Sequence, residues 1–245
     1  MTRSILITGA SSGIGYATAK LFLDKGWRVG LVARRPEPLD ALADAYETAV
    51  ALPGDVTDAK GMEDIFNAFV AEAGRLDVLF NNAGIFGQAG PIDEIPLEVW
   101  EDVLSVNLRG MFICARLAFA QMRRQDPQGG RIINNGSLSA YTPRDGSICY
   151  TTTKHAITGM TKTLSLDGRP FDIACGQLDI GNAATQMVQG LNDKLIAEGR
   201  LDALNPTMPV EEAARAAYHM ADLPAEANVQ FMTVMATKMP YIGRG

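Results

Sequence analysis

The stretch SILITGASSGIGYATAKLF, Ser4–Phe22, sets the fold class. Ser4–Thr8 is a short β-branched and apolar run, and the three glycines Gly9, Gly13 and Gly15 punctuate the residues after it. From Ile14 the apolar residues Ile14, Ala17 and Leu21 recur at helical spacing, which predicts a helix over 14–25. Strand, glycine turn and helix in immediate succession make a phosphate-binding device. Glycine allows the backbone to approach a pyrophosphate closely, and the free N–H groups and dipole of the helix N-terminus stabilise its charge. The glycine spacing differs from GxGxxG, so the context rather than that motif carries the reading.

Beyond this stretch, strand-like runs at 28–33, 48–52, 76–81, 131–135, 172–178 and 229–235 alternate with helical periodicity at 37–46, 59–73, 97–124, 150–167 and 210–222. Strict alternation predicts an α/β fold, a doubly wound sheet of about seven parallel strands with helices on both faces. No repeat or linker divides the chain, so one domain is expected over 1–245. The segment 182–209 is longer than a typical connection and is expected to be a substrate lid or a helical hairpin.

Bulk composition narrows the function. A net charge of −6 argues against a nucleic-acid surface, where clustered lysine and arginine would be needed. The chain enters its first strand within three residues of the start, and no apolar run of eighteen residues is apparent, so neither a signal region nor a membrane span is expected. Cys114, Cys149 and Cys175 are widely spaced and odd in number, which suggests no disulfide framework and points to a reducing, cytoplasmic setting. With only His155 and His219 present, no catalytic metal is expected.

Two local patterns suggest chemistry. The second strand runs into Arg34 and Arg35 with no acid to bond a ribose 2′-hydroxyl. Two guanidinium forks there suit a 2′-phosphate, so NADP(H) is favoured over NAD(H), with Arg34 the stronger contact. In YTTTK, Tyr150 and Lys154 lie four apart, on one helical face, and Ser137 lies thirteen residues upstream. A tyrosine is almost wholly neutral at pH 7, and an ammonium about 4 Å away would bias it toward phenolate for proton transfer.

TGASSGIG, the pair Asp55 and Val56, the run NNAG at Asn81–Gly84, Asn107, Ser137 and YTTTK occur in order along essentially the whole chain. Together they resemble the short-chain dehydrogenase/reductase family. The resemblance implies a Rossmann-like sheet and a catalytic set of Asn107, Ser137, Tyr150 and Lys154. Ser137 would bond the substrate oxygen, Tyr150 would exchange a proton with it, Lys154 would also hold the nicotinamide ribose, and Asn107 would bind a water leading to solvent. The same carry-over places the cofactor on Gly9, Ser11, Ser12, Gly13, Ile14 and Gly15, its adenine on Asp55 and Val56, and its ribose on Asn82, Ala83 and Gly84. Its nicotinamide end would meet Ile180, Gly181 and Thr185. Ile180 stands where the family commonly has proline, which is expected to loosen that loop.

Ser139, Tyr141, Phe86, Gln88, Met187, Val188 and Leu191 are the candidate substrate contacts. The expected activity is NADPH-linked interconversion of a small-molecule carbonyl (ketone, aldehyde or 3-oxoacyl group) and an alcohol. An NAD-using dehydrogenase and a catalytically idle NADP-binding scaffold are the alternatives. The resemblance also implies a homotetramer or homodimer built through the helices of Asn107 and Tyr150.

Overall fold

In β1 (Ser4–Thr8) the side chains alternate between two cores, which explains how one strand can bury both faces. Ile5 and Ile7 join Phe22, Leu39 and Met220 on one side, and Leu6 joins Phe69, Ile113 and Cys114 on the other. The computed structural model, which describes residues 2–201 and 204–242, extends this pattern into a seven-stranded parallel sheet. Its strand order is β3-β2-β1-β4-β5-β6-β7. The remaining strands are β2 (Arg28–Ala33), β3 (Ala49–Pro53), β4 (Val78–Asn81), β5 (Gly130–Asn135), β6 (Ile173–Gly181) and β7 (Phe231–Met235). The order reverses beside β1, whose neighbours are β2 and β4, and a cleft opens at the strand ends there.

Helices α1 (Gly13–Asp24), α2 (Glu37–Ala45) and α8 (Val210–Asp222) contribute to the first core, and α3 (Ala59–Ala73) and α5 (Met111–Arg124) to the second. Asp58 caps α3 by accepting from the N–H groups of Lys60 and Gly61, and Gly74 ends it in a left-handed conformation. Those signals explain why the expected 59–73 helix agrees with the observed one to the residue.

Three expectations change. The helix expected over 97–124 is α4 (Leu97–Leu104), a π-helical turn at Ser105–Gly110, and α5. By length and composition alone this combined run, Leu97–Arg124, could cross a membrane. Its apolar residues Met111, Cys114, Ala118 and Met122 are buried inside the fold, which accounts for the composition.

The strand expected to end at Leu178 continues to Gly181, and Ile180 pairs in register with Val234 of β7. Isoleucine has the N–H and the β-branched side chain that a strand uses, and proline lacks the N–H. Ile180 therefore extends the sheet rather than loosening a loop.

Among the described residues of 182–209 there is one α-helix, α7 (Gln186–Ala197), and no second α-helix to make a hairpin. Its flanks are joined by a bridge between Ala183 and Met208 and by Asn192, whose Oδ1 accepts from the Asn205 N–H at 2.9 Å. Asp202 and Ala203 of the expected lid lie outside the described residues.

Candidate active site

The cleft at the strand ends has a volume of about 670 Å³. Its floor is the turn between β1 and α1. Gly9 has φ +71, and a Cβ on Gly15 would lie 2.2 Å from the Gly9 carbonyl oxygen, so the turn closes only with glycine at these places. Ser12 precedes α1 in extended backbone and its side chain takes none of the helix N–H groups. Those donors face the cleft with no acid in the first turn, which suits a pyrophosphate. Ser11, Ser12, Gly13 and Ile14 all line the cleft.

Arg34 and Arg35 stand exposed at its mouth. Arg35 reaches across to the phosphate turn, its guanidinium 3.3 Å from Ser11 Oγ, so it shares the edge expected to belong mainly to Arg34. Asp55 and Val56 also line the cleft, with Asp55 Oδ1 accepting from the N–H and hydroxyl of Thr57. Asn82, Ala83 and Gly84 form the opposite wall. Thr8 Oγ1 accepts from the N–H groups of both Asn82 and Ala83, which ties β1 to the end of β4.

Tyr150 and Lys154 project from α6 (Ile148–Gly168) into the same cleft, and Phe86 lies against the Tyr150 ring with centroids 5.2 Å apart. Ser137, which follows β5, is close enough to act on the Tyr150 phenol. The three residues are thus together as expected, but the electrostatics differ from the expectation. Burial raises the phenol above its ordinary value; Ser137 and the Arg144 charge oppose that rise, and Asp179 adds to it.

Lys154 stands beside the Tyr150 ring and is anchored on a backbone carbonyl. Its ammonium sits 5.3 Å from the ring centroid and donates to the Asn135 carbonyl at 2.7 Å. Only 2% exposed, Lys154 is itself pulled down to about 8 by burial, with Asp179 opposing.

Asn107 lies in the π-helical turn, fully buried. Its Oδ1 accepts from the Ile85 N–H at 2.8 Å, and its Nδ2 donates to the Ile85 carbonyl at 2.8 Å and to Thr153 Oγ1 at 3.3 Å. A π-turn rotates one residue out of α-helical register, which aims this amide at the chain after NNAG.

Other expected contacts divide. Thr185 and Met187 line the cleft, whereas Ile180 and Gly181 are embedded in β6 and do not. Ser139 is buried and its N–H donates to Ser137 Oγ at 3.1 Å, a support for the serine. Tyr141 is 46% exposed above β6. Gln88 reaches the Glu94 carbonyl at 3.5 Å on the surface, while Val188 and Leu191 are half-buried in α7. Two residues carry no mark in the sequence motifs. Arg144 donates to Asn182 Oδ1 at 2.7 Å, joining the segment before α6 to the foot of α7. Asp179 is a fully buried carboxylate behind Ser137. An acid inside the apolar strand IACGQLDIG was the available signal.

Comparison with known proteins agrees with this geometry. An uncharacterized oxidoreductase of Bacillus subtilis, YxjF, is 37% identical over 188 residues, covering 75% of this chain and 72% of its own. The 2-(R)-hydroxypropyl-CoM dehydrogenase of Xanthobacter autotrophicus is 33% identical over 224 residues, covering 89% of each chain. The structure of ElxO with NADP bound superposes with a TM-score of 0.85 at 27% identity, covering 96% of this chain and 98% of that one. The family model described as short chain dehydrogenase matches residues 3–196. With the sheet order, the glycine turn and the Ser137, Tyr150 and Lys154 cluster already in place, the match is conclusive: this chain belongs to the short-chain dehydrogenase family of oxidoreductases.

Proposed function

We propose that the protein is an NADP(H)-dependent oxidoreductase that interconverts a small carbonyl compound and its alcohol, with Tyr150 as the general acid and base. The observation that carries this reading is the Tyr150 phenol, which feels Ser137 and opens, with Lys154, into the cleft that holds the glycine turn. A nicotinamide dinucleotide fits the residues present: a Cβ-free cradle at Gly9 and Gly15, uncommitted N–H groups at the start of α1, and guanidinium groups at the far edge. When bound, it supplies or accepts the hydride. The bound NADP in the related ElxO structure supports the phosphorylated form.

The chain's own residues do the rest. Ser137 Oγ bonds the substrate oxygen and orients it toward the phenol. Tyr150 gives that oxygen a proton in reduction and takes it back in oxidation. Lys154, anchored on the Asn135 carbonyl, stays beside the phenol, and its charge stabilises the phenolate once the proton has left. Asn107 holds the Ile85 backbone that frames the cleft wall. Met187 and Tyr141 border the substrate side.

Replacing Tyr150 by Phe removes the exchangeable proton but keeps the ring against Phe86. NADPH binding, followed by fluorescence, should persist, and NADPH oxidation with a panel of ketones, aldehydes, sugars and acyl thioesters should fall at least ~1,000-fold. Turnover near the wild-type rate would sink the assignment. Wild-type activity toward members of that panel would also exclude the idle scaffold.

A further inference from the structure

A chain of side-chain hydrogen bonds runs behind the cleft from β4 to β6. Asn81 Nδ2 donates to Asn134 Oδ1 at 3.2 Å, and Asn134 Nδ2 donates to Thr161 Oγ1 at 2.9 Å. Thr161 Oγ1 donates to Gln177 Oε1 at 3.2 Å, and Gln177 Nε2 donates to Asp179 Oδ1 at 2.8 Å. All of the intervening side chains are buried, and every step donates in one direction. A one-way donor chain polarises toward its end, and the group that suits that end is an acceptor with full negative charge.

The end of the chain is also the back of the reactive site. The Ser137 N–H donates to the same Asp179 Oδ1 at 2.9 Å, while Oδ2 is buried with no hydrogen-bond partner. Gly136 is what lets the carboxylate come so close: a Cβ there would lie 2.1 Å from Asp179 Oδ1. From α6, Lys154 and Tyr150 feel this charge, and so does Tyr141 from the segment after β5. Across the ladder from β7 the register partner is Thr233, which carries no charge. A buried carboxylate is costly unless it is bonded or paired; here the donor chain ends on it, and the Lys154 ammonium, bonded to the Asn135 carbonyl, feels its charge.

We propose that Asp179 is a positioning residue of the reaction: its buried carboxylate fixes the backbone of Ser137 and serves as the counter-charge of Lys154. This rests on the tyrosine reading given above. Burial raises the Asp179 carboxyl, while Gln177, the Ser137 N–H, Tyr141 and Lys154 hold it down. Because the anion raises both Lys154 and Tyr150, its removal must lower both.

Asp179→Asn keeps an oxygen for the Ser137 and Gln177 donors and deletes the charge. In alcohol oxidation the two limbs of kcat/KM report the ionisations of the Tyr150 and Lys154 pair. Both limbs should move to lower pH, by about one unit. Asp179→Ser should show the same displacement with a further fall in kcat, since the serine oxygen is too short to hold the Ser137 N–H. Unmoved limbs in either active variant overturn the proposal. In the wild-type protein, 13C NMR of the Asp179 carboxyl gives an independent reading: an ionised carboxylate at pH 7 is expected, and a carboxyl still protonated at pH 8 overturns the counter-charge role. The two readings fail separately. Turnover that survives Tyr150→Phe sinks the tyrosine reading, whereas fixed limbs with an inactive Tyr150→Phe sink only the role of Asp179.

Discussion

Arg35 and Lys154 show how far a side chain's direction departs from what its position in the sequence suggests. The pair Arg34–Arg35 was legible as a basic edge, and the two do stand at the cleft mouth, but the reach of Arg35 to Ser11 depends on where the β1 turn lies in space. A phosphate held by a guanidinium is a charge-assisted contact of about 1.5–3 kcal/mol. Removing Arg34 or Arg35 singly by alanine substitution should therefore weaken NADPH binding about 10- to 100-fold and leave NADH binding nearly unchanged, as read by comparative titration. Equal weakening of both cofactors would show that neither arginine meets a 2′-phosphate. Lys154 was legible as the partner of Tyr150 through their spacing alone. What spacing does not give is the third atom: the Asn135 carbonyl, on a strand distant in sequence, accepts a hydrogen bond from the ammonium and anchors the lysine beside the phenol ring. Asp179 was missed for the same reason, since its meaning comes from strand pairing with β5 and not from its own neighbours in the chain.

Among the elements, those with local punctuation were legible almost to their ends. β1 and β2 are apolar runs bounded by glycine or charge, and α3 carries an aspartate cap and a glycine stop. The π-helical turn at Ser105–Gly110 has no such mark, because its extra residue is fixed by what Asn107 meets across the cleft wall. That dependence can be measured. Asn107→Leu should strand the Ile85 N–H and carbonyl, costing about 3 kcal/mol and lowering Tm by about 6–12 °C in a domain of this size. If the melting temperature held, the Asn107 amide would not be what fixes this turn. The extension of β6 to Gly181 is the converse case: a β-branched residue where the family resemblance leads one to expect proline let pairing with β7 continue, and the departure was visible while its result was not.

For the molecule as a whole, the face of α4, α5 and α6 leaves an apolar groove of about 540 Å³ bordered by Leu104, Leu108, Phe112 and Met160. Phe112 is 56% exposed on it, and Glu101 and Arg109 flank the same groove. Opposite charges on one patch are self-complementary about a two-fold axis, so we propose a second copy of this chain as the occupant. If copies of the chain associate through this face, Phe112→Glu should lower the mass read by sedimentation to that of the monomer; an unchanged mass would place any interface elsewhere. The sheet order has a further consequence, for the time at which the fold can close. β1 pairs with β2 and with β4, and its Ile5 register partner on the latter is Val78. At roughly 5–20 residues per second of synthesis, the second edge of β1 waits about 4–15 s for its partner to emerge. During that interval the strand that will occupy the middle of the sheet is an open edge on the ribosome, and its exposure to other nascent chains is set by topology rather than by stability.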